Sequence, residues 1–262
     1  MKRALAAFLL ASTLAAAQES EIRAPFITTP EEVVERMLTL AGTGREDFVV
    51  DLGSGDGRIV IAAARKFGAR GLGVDIDPKL VLLARENARR AGVAERAAFE
   101  ERDVFKTDLA RASVVTIYLL PSLLDRLQPK LLDELRPGAR IVTHAFPMKG
   151  WKPDRSETVR LTRRHVGQGD ESRVFLWVVP AQVRGNWQGD DWRLRIHQNF
   201  QEIEIEGAAG GRALAVREAK LNGAAIAFSG ADFAFRGRVA ADRIEGELTR
   251  AGRTVAAVFV RR

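Results

Sequence analysis

The sequence has no cysteine among its 262 residues and only three histidines. The absence of cysteine excludes disulfide bonds and thiolate metal sites. Two of the histidines, His165 and His197, have no partner at the spacing that metal ligands show. We therefore expect no metal ion in this protein.

The N-terminal apolar run, residues 4–17, is too short for a permanent membrane helix. Spanning ~30 Å of hydrocarbon at ~1.5 Å per residue needs a longer segment. Lys2 and Arg3 precede the run and three alanines end it, which is typical of a secretory signal peptide. We predict a signal peptide over residues 1–17, cut before Gln18, and export to the periplasm or the medium. An uncleaved N-terminal anchor and a cytoplasmic protein are the alternatives.

The net charge of +7 is not concentrated in a basic block, because arginine and glutamate alternate along the chain. The sequence also lacks a basic stripe, zinc-finger spacing and the aromatic motifs of RNA-recognition domains. We therefore expect no nucleic-acid partner. No feature of the sequence indicates an oligomeric state.

The hydrophobic pattern divides the chain into two parts. Over residues 29–180, apolar runs of strand length alternate with helical patterns, which indicates βαβ units. From residue 183 onward, short stretches with a period of two are separated by Gly, Asn and Asp, as in antiparallel hairpins. We predict a doubly wound α/β domain over residues 18–182, with a mostly parallel sheet of seven strands. A small antiparallel β domain is predicted over residues 183–262.

Several residues mark helix boundaries in the first part. Thr29 followed by Pro30 and Glu32 matches a capping box and predicts that Thr29 caps the first helix. Asp77 is expected to start a later helix at Pro78. Pro129 predicts a break in the helical stretch SLLDRLQPKLLDELRPG.

Residues 49–60 read VVDLGSGDGRIV and place three glycines between a strand and a helix. Such a turn brings backbone amides and the positive end of the helix against a ligand. Arg58 stands where a dinucleotide fingerprint needs its third glycine, and the phosphate-loop signature is absent. Neither of those two nucleotide-binding motifs therefore explains the loop.

Three acids, Asp51, Asp75 and Asp103, are predicted to lie at the carboxyl ends of three successive strands. Ligands of open α/β sheets bind at that edge. An acid-lined pocket favours a ligand with a positive centre over one with phosphates, which points to S-adenosylmethionine. Asp75 is placed to accept both ribose hydroxyls, and Asp103 with the backbone of Val104 is placed to meet the adenine.

These motifs resemble those of the class I S-adenosylmethionine-dependent methyltransferases. VVDLGSGDG is similar to their first motif, GVDIDP to their second and ERDVF to their adenine-side motif. More narrowly, TPEEVVERML, TIYLLP and PKLLDELRPGARIVTHAFPMKGW resemble bacterial methyltransferase-domain proteins. Those proteins are similar to the mitochondrial lysine methyltransferases that modify ATP synthase subunit c and the adenine nucleotide translocator. The resemblance implies a Rossmann-like fold and a protein-lysine N-methyltransferase, and it does not reach the last eighty or so residues.

The resemblance also implies residue roles. Asp51 would orient the methionine ammonium group, residues 53–57 would lie against the cofactor, and Thr29 would form part of a lid. The cofactor-binding candidates are Thr29, Asp51, Gly53, Ser54, Gly55, Asp56, Gly57, Asp75, Ile76, Asp103 and Val104. Tyr118, the only tyrosine, follows the fourth strand, where this superfamily places its substrate-facing loop. It is the candidate catalytic residue and would hold the acceptor amine.

Other interpretations remain open at this point. The methyl acceptor is expected to be a lysine side chain of a protein, with a small molecule as the alternative. A catalytically inactive binding protein of the cell envelope is the second hypothesis, because S-adenosylmethionine is made in the cytoplasm. His144, at the end of the fifth strand, is another polar group near the same edge, and a structural role is expected for it.

Overall fold

The computed structural model describes residues 27–165 and 169–262. The predicted signal peptide, residues 1–17, lies outside the described residues. None of the helices in the described ranges is both long and apolar enough to cross a membrane.

The first sheet has seven strands, as predicted. They are β1 (Phe48–Leu52), β2 (Arg70–Asp75), β3 (Ala97–Glu101), β4 (Val114–Ile117), β5 (Arg140–His144), β6 (Arg155–His165) and β7 (Gly169–Val178). Their order in space is β3-β2-β1-β4-β5-β7-β6. Strands β1 to β5 are parallel, whereas β7 runs antiparallel to β5 and to β6. The strand order reverses direction between β1 and β4, which is the position where open α/β sheets bind ligands.

Four helices cover the two faces of this sheet, so the doubly wound architecture is confirmed. They are α1 (Glu31–Leu40), α2 (Arg58–Phe67), α3 (Pro78–Arg90) and α4 (Pro121–Glu134). Successive residues of β1 point to opposite faces. Val49 packs in the cluster that contains α1 and part of α2, and Val50 packs with the leucines of α4.

Two of the predicted helix boundaries are wrong. Helix α1 begins at Glu31 with Pro30 as its N-cap, and it has no side-chain capping bond. The hydroxyl of Thr29 is instead within hydrogen-bonding distance of His144, 3.1 Å from Nδ1. Helix α4 continues through Pro129. Buried leucines lie on both sides of this proline, and their packing offsets the ~3 kcal/mol that an interior proline costs.

The second sheet is antiparallel, as predicted, and has nine strands. They are β8 (Gly185–Gly189), β9 (Trp192–Asn199), β10 (Glu202–Ala209), β11 (Arg212–Ala213), β12 (Glu218–Asn222), β13 (Ala225–Ser229), β14 (Phe233–Ala240), β15 (Arg243–Arg250) and β16 (Arg253–Arg261). Neighbours in sequence pair with each other except at β11 and β12, and β16 pairs back onto β8. The sheet therefore curves around a single apolar core, as in an up-and-down barrel with one gap.

The two sheets meet at Trp151. Its Nε1 donates a hydrogen bond to Oε1 of Gln201, 2.7 Å away, and its ring stacks on Phe200 with centroids 5.1 Å apart. Gln201 and Phe200 lie in the turn between β9 and β10. The two tryptophans of the second part, Trp187 and Trp192, are buried in the core of the curved sheet. Trp151 therefore packs between the two sheets, whereas Trp187 and Trp192 lie within the second one.

A second contact between the sheets involves Gly223 and supplies a test. A Cβ on Gly223 would lie 2.8 Å from the Cα of Gly138, whereas a Cβ on Gly252 would meet nothing within 4 Å. Both glycines have positive φ, 56° and 75°, so alanine at either position adds strain of ~1–2 kcal/mol. Overpacking adds ~1–3 kcal/mol at position 223 only. We expect Gly223→Ala to lower the free energy of unfolding by at least ~1 kcal/mol more than Gly252→Ala does, measured by urea denaturation. Equal losses would contradict the close approach of the two sheets.

Candidate active site

The loop between β1 and α2 takes a backbone conformation that only glycine adopts easily. Gly53, Gly55 and Gly57 have φ values of 83°, 53° and 83°. A Cβ on Gly53 would lie 2.9 Å from the Leu119 side chain, and one on Gly57 would lie 2.7 Å from the Phe99 ring. Two of the three glycines are thus required by contacts within the protein as well as by the backbone.

Asp75, the last residue of β2, fixes this loop. Its Oδ2 accepts a hydrogen bond from the amide of Gly55 at 2.9 Å, and its Oδ1 accepts one from the amide of Asp77 at 3.0 Å. Each carboxylate oxygen can accept a second hydrogen bond. The carboxylate is therefore oriented by two backbone amides and retains the capacity to accept both hydroxyls of a ribose.

Asp51 lies in β1 beside β4, at the point where the strand order reverses. It is 2% exposed, and its Oδ1 accepts a hydrogen bond from Oγ1 of Thr116 at 2.7 Å. Burial raises the pKa of Asp51 to about 7, and the negative charges of Asp75 and Asp56 add to that effect, whereas the Thr116 hydrogen bond opposes it. A cationic group near this carboxylate would favour its charged form.

Asp103 follows β3 and begins a short 3-10 helix, Val104–Lys106. Its Oδ1 accepts a hydrogen bond from the amide of Phe105 at 2.9 Å. Ile76, which directly follows β2, is 37% exposed, and Val104 packs partly buried against the core. The edge of β2 and β3 thus presents a carboxylate and an exposed apolar side chain, which suits a purine ring.

Asp56 does not share this arrangement. Its carboxylate forms a bidentate ion pair with Arg58, at 2.9 Å from Nε and 2.6 Å from the terminal nitrogen. The other terminal nitrogen of Arg58 donates to the carbonyl oxygen of Thr29 at 2.8 Å. The Asp56 and Arg58 side chains line a cavity with residues of α1, α2 and α3. The contact between Asp56 and the cofactor stays a prediction; in the structure the carboxylate is paired with Arg58, which also joins the loop to the segment before α1.

Ser54, between Gly53 and Gly55, is 4% exposed, and its hydroxyl has no hydrogen-bond partner among the described residues. A buried hydroxyl without a partner costs free energy in the free protein. Together with the oriented carboxylate of Asp75, it fits a polar ligand at this loop. The residues present therefore fit S-adenosylmethionine.

Tyr118 follows β4 and lies half-buried at the same edge. Its ring contacts the imidazole of His144, with ring centroids 4.0 Å apart. His144 is fully buried, and its two nitrogens lie within hydrogen-bonding distance of Thr29 and Ser172. Thr29 is thus brought to the site, although by a side-chain contact that the capping pattern does not predict.

Three residues of the site, Thr116, Ser172 and Arg58, are absent from the sequence-based candidates. Thr116 is a single polar residue within the apolar strand VVTI, beside the strand of Asp51, and that isolation was a usable signal. No comparable signal marks Ser172 or Arg58. Across the parts of the chain that the structure describes, no group of three or more potential metal ligands occurs.

Comparisons with known proteins agree with this geometry. Residues 51–155 match the family model described as the ANTKMT methyltransferase domain. The chain is 43% identical over 156 residues to a protein-lysine N-methyltransferase of Saccharolobus islandicus, a match that covers 59% of this chain and 93% of that protein. It is 39% identical over 132 residues to the adenine nucleotide translocase lysine N-methyltransferase of Mus musculus, covering 50% of this chain and 57% of the mouse protein. The chain thus spans little more than half of that relative.

Similar solved structures include the following protein. It is described as an RNA methyltransferase from Salinibacter ruber in complex with S-adenosyl-L-homocysteine. The identity is 48% and the TM-score is 0.54, over 60% of this chain and 96% of that one. The fold is therefore shared with a protein that binds the demethylated form of the cofactor.

The fold and the relatives define an S-adenosylmethionine-dependent methyltransferase. The chain belongs to the methyltransferase family with the ANTKMT domain, and S-adenosylmethionine is its cofactor. These comparisons do not support the alternative that the domain is catalytically inactive.

The raised pKa of Asp51 predicts a pH dependence of stability. The unfolded chain releases this proton near pH 4, whereas the folded protein keeps it up to about pH 7. The contribution of Asp51 to stability is therefore complete below about pH 4 and is lost as the pH rises to about 7. Asp51→Asn cannot titrate, so we expect its stability relative to the parent to increase between about pH 5 and about pH 8 in urea denaturation without cofactor.

The matched control is Asp125→Asn, which replaces an exposed acid on α4. Its stability relative to the parent is expected to stay constant over the same pH range. An Asp51→Asn difference that also stays constant would show that Asp51 is already charged in the folded protein.

Proposed function

We propose that this methyltransferase is a protein-lysine N-methyltransferase. The observation that carries the proposal is the 43% identity to an archaeal protein-lysine N-methyltransferase over 93% of that protein's length. Further support comes from the mouse relative, whose name specifies a lysine of the adenine nucleotide translocase. The acceptor of the present protein need not be that translocase.

The bound cofactor supplies a methyl group that its sulfonium already activates, so the protein contributes mainly by alignment and by excluding water. In this proposal Asp75 accepts hydrogen bonds from the ribose hydroxyls, and Asp103 meets the adenine side. Asp51, in its charged form, lies near the methionine ammonium group. In the same proposal the backbone of the glycine loop, residues 53–57, lies against the cofactor.

Tyr118 is proposed to face the acceptor amine. A lysine must arrive uncharged to attack the methyl carbon, and a hydroxyl or carbonyl oxygen at the mouth of the pocket can accept its N–H and keep the lone pair in line. The ring of Tyr118 is half-buried and held against His144, so its direction is set by the protein. The lysine ammonium would release its proton to solvent before attack, and S-adenosylhomocysteine would leave as the N–CH3 bond forms, so Tyr118 would only have to position the amine.

RNA is the second candidate acceptor. The observation that favours it is the description of the Salinibacter ruber neighbour as an RNA methyltransferase. Against it, the net charge of +7 is spread over alternating basic and acidic residues, whereas nucleic-acid sites concentrate basic groups.

Labelling with methyl-tritiated S-adenosylmethionine distinguishes the acceptors. Purified enzyme is incubated with an extract of the source cells, which is then divided into protein, RNA and small-molecule fractions. We expect the label in protein, resistant to ribonuclease and recovered as methyl-lysine after acid hydrolysis. Label confined to RNA or to small molecules would contradict the proposal.

Asp75→Ala provides the control for the cofactor site. It removes the carboxylate that would hold the ribose, and loss of these hydrogen bonds is expected to weaken S-adenosylhomocysteine binding more than about tenfold, or ~1.4 kcal/mol, in calorimetric titration. Asp77→Ala is the matched variant in the same turn, since Asp77 only caps α3 through the amide of Lys79. Its affinity is expected to stay within about threefold of the parent.

Export remains a proposal from the sequence alone. It is supported by the layout of residues 1–17, in which two basic residues precede an apolar run with small residues at its end. N-terminal sequencing of the protein from its native cells is expected to begin at Gln18. A chain that retains Met1 would contradict cleavage.

A further inference from the structure

A buried polar cluster lies between β4, β5 and β7, at the edge of the sheet where the cofactor site is. It consists of His144 with Thr29, Tyr118 and Ser172. The Nδ1 of His144 lies 3.1 Å from Oγ1 of Thr29, and its Nε2 lies 2.6 Å from Oγ of Ser172. The imidazole is fully buried, and the two hydroxyl residues are nearly so. His144 therefore joins three separate segments of the chain.

Burying such a polar cluster costs desolvation free energy, so it is not the most stabilising arrangement for a sheet edge. Apolar side chains of similar volume are often as stabilising as buried polar groups or more so, because they need no hydrogen-bond partners. A satisfied polar network instead fixes the directions of its members. The cluster therefore indicates that the directions of these side chains matter more than their contribution to the free energy of unfolding.

The backbone after His144 is strained as well. Ala145 has a φ of 68°, and the amide of Phe146 donates to the carbonyl oxygen of His144 at 2.8 Å. A hydrogen bond between residues two apart, around a residue with positive φ, defines a γ-turn of the rarer kind. Strain of this type persists where the surroundings determine the conformation, and it concentrates at functional sites. The strained turn and the buried cluster are adjacent in the chain.

Thr29 extends the cluster to the cofactor loop. Its carbonyl oxygen accepts a hydrogen bond from Arg58, and Arg58 holds Asp56 of the glycine loop in a bidentate ion pair. On the other side of His144, the ring of Tyr118 contacts the imidazole directly. One buried histidine thus links the loop at the cofactor to the only tyrosine of the chain.

We propose that His144 is a positioning residue for methyl transfer, which holds Tyr118 at the acceptor side and Thr29 at the cofactor side. Because it is fully buried, His144 acts through these two residues and does not touch the substrate. The inference rests on the proposed function in one respect, since it takes the acceptor to lie against Tyr118.

A spectroscopic test needs no acceptor. Tyr118 is the only tyrosine, so protein labelled with 3-fluorotyrosine gives a single ¹⁹F resonance that reports on this ring. His144→Ala is expected to shift and broaden the resonance, and His144→Phe, which keeps a ring against Tyr118 but loses both hydrogen bonds, is expected to leave it shifted from the parent position. An unchanged resonance in His144→Ala would overturn the inference.

The matched control is Ser113→Ala. Ser113 is also a buried hydroxyl residue of the same sheet, but it is hydrogen-bonded to Asp47 at the opposite edge. This variant is expected to leave the resonance and kcat unchanged.

Thr29→Val, which removes one hydrogen bond and keeps the imidazole, is the second test variant if His144→Ala does not fold. It is expected to shift the resonance, and a spectrum identical to the parent's would count against the inference.

Comparing kcat with the Kd for S-adenosylhomocysteine distinguishes a positioning role of His144 from a general loss of folded structure. In His144→Ala, kcat is expected to fall about tenfold or more, while the Kd for S-adenosylhomocysteine stays within about threefold. The double variant with Tyr118→Phe is expected to be no slower than the slower of the two single variants, because the effect of His144 on kcat is expected to pass through Tyr118. Additive losses, or an unchanged kcat, would contradict the inference. If no methyl-lysine is formed, the lysine acceptor is wrong, but the ¹⁹F spectra still test whether His144 positions Tyr118. The two proposals can therefore be rejected independently.

Discussion

The carboxylate of Asp75 accepts hydrogen bonds from the amides of Gly55 and Asp77. The conformation of the glycine loop, and with it the rest of the site, depends on these two hydrogen bonds. The glycine loop has three residues at positive φ, and an unbraced loop of that kind would sample many conformations. Asp75 holds it at the end of β2, beside the point where the strand order reverses. The loop and the Asp75 carboxylate are thereby fixed relative to each other in the free protein.

The polar groups at this edge differ in what they do. Asp75 and Asp103 are each oriented by backbone amides. Asp51 is buried against Thr116 and has a raised pKa, so its charge state depends on what lies beside it. Asp56 is paired with Arg58 and serves as a structural connection. The acids therefore differ in environment: two are held by backbone amides, one is buried with a raised pKa, and one is paired with an arginine.

The sequence predicted the sheet, and the positions of Asp51, Asp75 and Asp103 at its carboxyl edge, because both follow from local patterns. Alternating apolar runs and helical periods define βαβ units, and the carboxyl ends of parallel strands share one edge. Thr29 was misassigned because the capping pattern is local, whereas its actual partner, His144, lies 115 residues away. The pairing of Asp51 with Thr116 spans 65 residues and was missed for the same reason. Side-chain partners across strands depend on register, which the sequence alone does not reveal.

A crystal structure with S-adenosylhomocysteine tests the central claim most directly. We expect the nucleoside at the carboxyl edge beside β1 and β4, with both ribose hydroxyls hydrogen-bonded to Asp75. The adenine would then lie near Asp103. A nucleoside bound away from this edge, or one whose ribose makes no contact with Asp75, would contradict the account.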